Sequence, residues 1–325
     1  MPSRPPERRP TVYPRGCPRT GARPQVVSLR TVLSLLFTLG LVTLASGCRR
    51  PTGSAGEDAG LPSPQGAPKV PQETMTVKGS DTLVILVQRW AERFMKAHPE
   101  AKIQVTGGGS GTGIAALING TTDIAMSSRP IKDAEKQKLR QREPHGPVEL
   151  PVARDGITFY VHESNPLDTL SIAQLKGIYL GDITNWKDVG GKDAPIVVYS
   201  RENSSGTYVF VKDEVLGGED FTVRAQTLPG TAAVVHAVAQ EKNGIGYGGA
   251  AYAKGVKELK VKKEPQGEAV APTAENIQSG TYPLSRGLYF YLPQEASGVE
   301  KSFIDYALSP EGQQIATQTG YFPVK

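Results

Sequence analysis

The sequence predicts an α/β protein that is preceded by a signal segment for export. From Met75 onward, short runs rich in valine, isoleucine and aromatic residues alternate with segments of helical apolar spacing. Hydrophobic residues make up 38% of the 325 residues, enough for one or two folded domains. A stretch rich in glycine, proline and serine separates the signal segment from this folded part.

The folded part begins with a strand, MTVKGS, and a helix in which Leu83, Leu86, Val87, Trp90 and Phe94 recur at helical spacing before Pro99. A second helix follows the glycine-rich loop and ends at Gly120. Later helices are predicted at TAAVVHAVAQEKN and at VEKSFIDYALS, the latter as the final helix. Further strands are predicted at KIQVTG, TDIAMSS, GITFYVH, PIVVYSR and SRGLYFYL.

The basic charge of the chain is concentrated in residues 1–47. The net charge is +5, and this segment holds seven arginines and one glutamate, so the rest of the chain carries −1. A nearly neutral mature protein lacks the positive charge expected of a protein that binds nucleic acids. Arginines followed by the apolar run TVLSLLFTLGLVTLASGC predict a signal peptide over 1–47.

Cys48 is the predicted point of membrane attachment. The residues before it, Ala45, Ser46 and Gly47, resemble a bacterial lipoprotein processing box, although Leu44 lies one position earlier than the usual leucine. Ordinary signal cleavage is the alternative. Residues 48–73 read as a lipid-anchored flexible linker. Cys17 is the other cysteine, so the mature chain has no disulfide or cysteine-metal framework.

Three loops share one design, in which glycine with serine or threonine leads directly into an apolar helix. They are GSDT at 79–82, GSGTG at 109–113 and SSGT at 204–207. A helix start presents unpaired backbone N–H groups and the positive end of the helix dipole, so each is a candidate anion site. Each loop alone is equally consistent with an ordinary N-cap or turn. Their repetition favours anion binding.

Two arginines could supply the positive charge that a buried anion needs. Arg201 ends a predicted strand four residues before Ser205, and its planar fork can hold an oxyanion with two hydrogen bonds. Arg129 ends the DIAMSSR segment and is the second candidate. A surface or interdomain salt bridge is the alternative for both.

The motifs of catalysis are missing or incomplete. The glycine-rich loop lacks the lysine of a nucleotide P-loop, and the G-x-G-x-x-G pattern at 244–249 follows a predicted helix where a dinucleotide fold has a strand. The four histidines have no metal or triad spacing. We therefore expect no enzyme activity, catalytic residue, metal or cofactor.

Ordered blocks from about Met75 to Pro323 resemble the periplasmic phosphate-binding proteins of the phosphate-specific ABC transporter. They include VKGSDT, VTGGGSGTGIAALINGTTDIAMSSRPI, SRENSSGT, NGIGY and YPLSRGLYFYL. The resemblance implies a type II periplasmic-binding fold, in which two α/β lobes joined by crossover strands enclose a ligand cleft. Lobe 1 would comprise 74–155 plus 285–325, and lobe 2 would comprise 156–284.

The resemblance also assigns ligand contacts residue by residue. Thr82, the backbone of Leu83 and Ser110 match contacts from lobe 1. Contacts from lobe 2 match Arg201, Ser205, Gly206 and Thr207. Ser128, followed by Arg129, stands where well-known members have an aspartate that accepts the proton of hydrogen phosphate. Asp155 or Asp81 could replace that acceptor. Asn203 stands where an aspartate orients the arginine, a role that Glu202 would take here.

The expected function is that of a monomeric lipoprotein that binds inorganic phosphate and delivers it to a membrane ABC permease. It would lie in the periplasm or at the cell surface, anchored through Cys48. The substitution at Ser128 leaves other oxyanions, namely sulfate, arsenate and molybdate, as alternative ligands. An exported phosphatase is the alternative from a different class.

Overall fold

The computed structural model of the protein describes residues 74–324. The predicted signal peptide, the linker and Cys48 lie outside the described residues. The strands are Thr74–Gly79 (β1), Lys102–Thr106 (β2), Ile124–Ser127 (β3), Val148–Val161 (β4), Thr169–Ser171 (β5), Val197–Arg201 (β6), Gln226–Leu228 (β7), Gly244–Gly249 (β8), Lys257–Glu258 (β9), Lys260–Lys262 (β10), Ala269–Val270 (β11) and Ser285–Leu292 (β12).

The helices alternate with these strands, as expected for an α/β protein. They are Asp81–Ala97 (α1), Ser110–Asn119 (α2), Asp133–Arg140 (α3), Ile172–Leu180 (α4), Gly206–Glu214 (α5), Gly230–Gln240 (α6), Ala274–Gln278 (α7), Gly298–Leu308 (α8) and Pro310–Thr319 (α9). Within residues 74–324, no helix combines the length and the apolar character needed to cross a membrane.

A mixed sheet connects most of the strands in the order β2-β1-β3-β12-β4-β8-β6-β7, and β9 adds to β4. The pairs of β1 with β2 and β3 are parallel, as is the pair of β6 with β8. A separate small sheet has the order β11-β10-β5.

Strand β4 connects two parts of this sheet. Its first part pairs antiparallel with β12, and residues 157–161 pair antiparallel with β8. The register of β4 and β12 places Asp155 directly opposite Arg286. The predicted strand GITFYVH therefore corresponds to the second half of β4. The first half of β4 pairs with β12.

The apolar side chains form two large cores on either side of this connection. One core contains Trp90 and Phe290, whose rings meet edge to face at 6.2 Å, together with residues of β1, α1 and α8. The other core contains Phe159, Tyr179 and Tyr247 from β4, α4 and β8. Full burial of a large apolar side chain contributes about 1.5–3 kcal/mol, so each core supports its own layer of helices.

One expectation about the elements needs correction. The segment VEKSFIDYALS forms α8 but is not the final helix, because α9 follows it after Ser309. The Ser309 side chain accepts a hydrogen bond from Gly312 N, and Pro310 occupies the first turn, where a proline is well tolerated. The G-x-G-x-x-G pattern lies inside strand β8, so it forms no phosphate-binding turn.

Candidate anion-binding site

The three glycine and hydroxyl loops each lead into a helix, as the sequence predicts. Helix α1 begins at Asp81, α2 at Ser110 and α5 at Gly206. Gly79 has a φ of +142°, and a Cβ there would lie 2.2 Å from Met126 O, so only glycine fits this close approach to β3.

The loops come together in space. Gly109 N donates to Gly79 O at 2.9 Å, which joins the first two loops. Gly111 N donates to Ser204 O, also at 2.9 Å, which joins the second loop to the third. The hydroxyl oxygens of Thr82 and Thr207 lie 3.2 Å apart, and both residues are buried. Three helix N-termini thus converge on one buried, hydroxyl-rich position, which is the arrangement that stabilises an anion.

Ser110 and Ser128 form the hydroxyl pair on the other side of this cluster. Their Oγ atoms lie 3.3 Å apart, and Ser128 N donates to Ser110 Oγ at 3.0 Å. A Cβ on Gly206 would lie 2.4 Å from Ser110 Oγ and 2.6 Å from Ser128 Oγ. The glycine at the start of α5 therefore allows the third loop to touch both hydroxyls.

Ser205 and Leu83 have mainly local contacts. The Ser205 side chain accepts hydrogen bonds from Thr207 N and Tyr208 N, which makes it the N-cap of α5. Leu83 N donates to Ser80 O at 3.0 Å, and the Leu83 side chain lies fully inside the first core. Both residues shape their helix starts. Leu83 N is already engaged by Ser80 O, whereas the Ser205 hydroxyl accepts two bonds and keeps its own O–H as a donor.

Arg201 is buried at the end of β6 and reaches across to α1. Its Nη2 donates to Asp81 Oδ2 at 2.7 Å, and its Nη1 donates to Thr231 Oγ1 at 2.9 Å. The Tyr247 hydroxyl accepts a hydrogen bond from Arg201 N at 3.2 Å. Glu202, expected to orient this arginine, is exposed, and the carboxylate that pairs with Arg201 is that of Asp81.

Arg129 is not brought into the cluster. Its guanidinium forms two parallel hydrogen bonds with Glu135, at 2.8 and 2.7 Å. Burial opposes ionisation of Glu135, but the hydrogen bond and the charge of Arg129 outweigh this and lower the pKa of the carboxyl. The expected second anion-binding arginine is thus engaged in an internal ion pair at the start of α3.

Arg286 provides the second arginine of the cluster, and sequence reasoning missed it. Its Nη2 donates to Asp155 Oδ2 at 2.9 Å, to Thr207 Oγ1 at 3.0 Å and to Thr82 Oγ1 at 3.2 Å. Its Nη1 donates to Ser128 O at 3.0 Å. The available signal was an arginine in SRGLYFYL on one crossover strand with an aspartate on the other, a pair that an antiparallel register can set face to face.

Asp155 is fully buried beside Arg286, and its Oδ1 has no hydrogen-bond partner among the described residues. Burial raises the pKa of Asp155 and lowers that of Arg286, while their mutual attraction opposes both shifts. An ion pair this deeply buried is costly to form without further partners. The free Oδ1 is therefore a candidate acceptor for a proton carried by a ligand.

The cluster contains two arginines and two aspartates, so its formal side-chain charge is balanced. Net attraction for an anion comes from the three helix N-termini and the hydroxyl donors. Among residues 74–324, no group of three or more His, Cys, Asp or Glu is arranged to hold a metal ion. These groups can bind and orient an oxyanion, and Asp155 Oδ1 can accept a hydrogen bond from a protonated oxygen of that anion.

Comparison with known proteins agrees with this geometry. Residues 62–311 match the family model described as a PBP superfamily domain. The phosphate-binding protein PstS of Pseudomonas aeruginosa is 34% identical over 301 residues, covering 87% of this chain and 93% of the relative. PstS of Staphylococcus aureus is 38% identical over 253 residues, covering 75% and 76% respectively.

Solved structures give the same picture. A substrate-binding protein from Clostridium perfringens, solved with bound phosphate, is 35% identical with a TM-score of 0.71 and covers 78% of this chain and 100% of its own. An ABC-type phosphate transport receptor from Vibrio cholerae is 30% identical with a TM-score of 0.63, covering 76% and 99%.

Proposed function

This chain belongs to the PBP superfamily as a PstS-like phosphate-binding protein, and we propose that it binds inorganic phosphate and delivers it to a membrane ABC permease. One observation carries the proposal from the chain's own residues: Arg286 Nη2 lies within hydrogen-bond distance of both Thr82 Oγ1 and Thr207 Oγ1. These hydroxyls belong to the starts of helices α1 and α5, which lie 125 positions apart in the chain. Phosphate would be held where the three groups meet.

The protein acts by closing two lobes on its ligand. Residues 74–155 plus 285–325 form lobe 1, and residues 156–284 form lobe 2. The ligand contacts comprise Thr82, Ser110, Ser128 and Asp155 from lobe 1 and Arg201, Ser205, Gly206 and Thr207 from lobe 2. Arg286 is added. Arg129 is left out because it pairs with Glu135, and Leu83 because its N–H already donates to Ser80 O. Since groups of both lobes share one anion, binding favours the closed arrangement.

Asp155 serves as the acceptor that distinguishes hydrogen phosphate from sulfate. Within residues 74–324 its Oδ1 has no hydrogen-bond partner, whereas both oxygens of Asp81 are engaged, one by Arg201 and one by Gly108 N. A protonated oxyanion can donate to a carboxylate, and a fully ionised sulfate can only repel it. Sulfate, arsenate or molybdate remains the alternative ligand if Ser128, not Asp155, faces the anion.

The free energy needed for phosphate binding of micromolar affinity is modest. A dissociation constant near 1 μM corresponds to about −8 kcal/mol. Charge-assisted hydrogen bonds contribute roughly 1.5–3 kcal/mol each as net values that already include desolvation, so a few such contacts account for this affinity.

The protein works outside the cytoplasm as a monomer, held at the membrane through lipidated Cys48. The relatives are named as binding proteins, and the cluster lacks a histidine or cysteine nucleophile among its described residues. We therefore propose a binding role, with an exported phosphatase as the alternative from another class.

Calorimetric titration of the purified protein tests the function. We expect one phosphate per chain, with an affinity that persists in an excess of sulfate. Equal competition by sulfate would overturn the phosphate assignment in favour of a general oxyanion receptor. Turnover of a generic phosphate ester would instead support the enzyme alternative.

A further inference from the structure

The ion pair between Asp81 and Arg201 crosses from one proposed lobe to the other. Asp81 opens α1 in lobe 1, and Arg201 ends β6 in lobe 2. The two atoms Asp81 Oδ2 and Arg201 Nη2 lie 2.7 Å apart, and the Arg201 side chain is only 2% exposed. Arg201 therefore has its carboxylate partner in the opposite lobe.

Three contacts fix Asp81 in place. Its Oδ1 accepts a hydrogen bond from Gly108 N at 2.9 Å, within lobe 1. Its main-chain oxygen accepts a hydrogen bond from the Tyr252 hydroxyl of lobe 2 at 2.7 Å. With the Arg201 contact, two of these three bonds cross between the lobes. Asp81 is thus a rigid partner, and both oxygens of its carboxylate are engaged.

Arg201 has no comparable partner within its own lobe. Thr231 accepts one hydrogen bond from Nη1 but is neutral, and Nε has no partner among the described residues. Glu202, the adjacent acid, is exposed to solvent. When the lobes separate, the guanidinium loses the one carboxylate that fixes its planar fork. An arginine that is free to rotate has more conformational entropy to lose when it binds an anion.

We propose that Asp81 is the positioning residue of Arg201, acting from the opposite lobe, and that their ion pair links anion affinity to lobe closure. The proposal rests on the proposed function, because it assigns Arg201 to the anion site. Closure orients the arginine, and the oriented arginine stabilises closure. Removal of the carboxylate shifts the equilibrium toward the open arrangement and weakens phosphate binding through that shift.

Interlobe distance and affinity, measured on the same variants, test this coupling. Spin labels at Gln137→Cys on α3 and Glu214→Cys on α5, in a Cys17→Ser, Cys48→Ser background, report the distance between two exposed helices of opposite lobes. Asp81→Asn, Arg201→Gln and the double variant form a mutant cycle. Asp305→Asn is the matched control, since it removes an exposed ion pair with Lys301 in lobe 1.

In phosphate-free protein, we expect Asp81→Asn and Arg201→Gln to lengthen the distance equally, and the double variant to lengthen it no further. Asp81→Asn should weaken phosphate binding about tenfold or more, and saturating phosphate should restore the parent distance. Asp305→Asn should change neither quantity. A purely structural role would lower the melting temperature without these effects.

Parent-like distances together with a parent-like phosphate affinity in Asp81→Asn would overturn the proposal. Failure of the parent protein to bind phosphate would instead refute the proposed function. In that case the distance measurements still decide whether Asp81 and Arg201 hold the lobes together.

Discussion

Arg286 Nη2 donates a hydrogen bond to Thr207 Oγ1 over 3.0 Å, which joins the crossover strand β12 to the start of helix α5. The same nitrogen contacts Asp155 on the neighbouring crossover strand. One guanidinium therefore links the connection between the proposed lobes to a hydroxyl of lobe 2. The strands proposed as the crossover between the lobes therefore also bring charge into the candidate site.

Arg286→Gln should weaken phosphate binding by at least about 100-fold. The substitution removes the charge-assisted donor shared by Thr82 and Thr207 and leaves Asp155 buried without its partner. Calorimetric titration measures the change. Arg129→Gln is the matched control, because Arg129 pairs with Glu135. We expect the phosphate affinity of this variant to stay within about threefold of that of the parent protein. The reverse order of effects would contradict our placement of the site.

Asp155→Asn should change selectivity as well as affinity. Loss of the carboxylate acceptor weakens the binding of hydrogen phosphate, whereas sulfate, which the carboxylate repels, is relieved of that repulsion. We expect the phosphate-to-sulfate affinity ratio to fall about tenfold or more. The affinity ratio is the decisive measurement. If the substitution acted only by releasing Arg286 from its ion pair, it would weaken the binding of phosphate and of sulfate equally. An unchanged ratio would assign the discrimination to Ser128.

Gly206→Ala should impair phosphate binding and lower the free energy of unfolding by about 1–3 kcal/mol through overpacking. The added Cβ would meet Ser110 Oγ at 2.4 Å and Ser128 Oγ at 2.6 Å, so the two hydroxyls would have to move. We expect affinity to fall about tenfold or more, as measured by calorimetry. Gly111→Ala is a graded comparison, because its nearest atom, Ser204 O, lies at 3.3 Å. An equal loss in both variants would argue against a specific effect at Gly206.

The carboxyl group of Glu258, which lies outside the site, should make the free energy of unfolding depend on pH. Burial raises the pKa of Glu258 from 4.5 to about 7, and its Oε1 has no hydrogen-bond partner among the described residues. Because the folded-state pKa is the higher one, this carboxyl favours folding below about pH 4.5. The benefit is lost as the pH rises through about 7. Glu258→Gln, which stays neutral, should gain about 1–2 kcal/mol relative to the parent between pH 5 and pH 8, after allowance for solvent screening.

Urea unfolding at several pH values measures this difference. The exposed Glu264→Gln variant of the same lobe is the control. Identical pH dependence in the parent and in Glu258→Gln would rule out an elevated pKa for this carboxyl.

Phe322→Ala should lower the free energy of unfolding by about 3 kcal/mol. Phe322 is 8% exposed and packs in the second core, although it follows helix α9 of the first. Two backbone hydrogen bonds with Arg154 hold it beside the crossover, at 2.7 and 3.0 Å. Denaturant unfolding measures the loss, and the fully exposed Val223→Ala is the control. A loss no larger than that of the control would mean that this contact contributes little.

Local patterns in the sequence were sufficient for much of the fold. The spacing of Leu83, Trp90 and Phe94 predicts α1 because an amphipathic helix repeats every 3.6 residues, and these side chains are buried. The helix starts at Ser110 and Gly206 were predictable from glycine and hydroxyl residues in short stretches. The end of the chain was predicted wrongly, because α9 (PEGQQIATQT) contains fewer apolar residues than α8 (GVEKSFIDYAL).

The sequence by itself determined the α/β class, the three helix starts and the presence of Arg201 near one of them, because each depends on residues only a few positions apart. The tertiary structure decided which charges meet. Asp155 pairs with Arg286 and Asp81 with Arg201 across 131 and 120 positions of the chain. An arginine side chain is long and can reach several partners, so its choice depends on strand register and on lobe contact. That choice excluded Arg129 from the cluster and brought Arg286 into it.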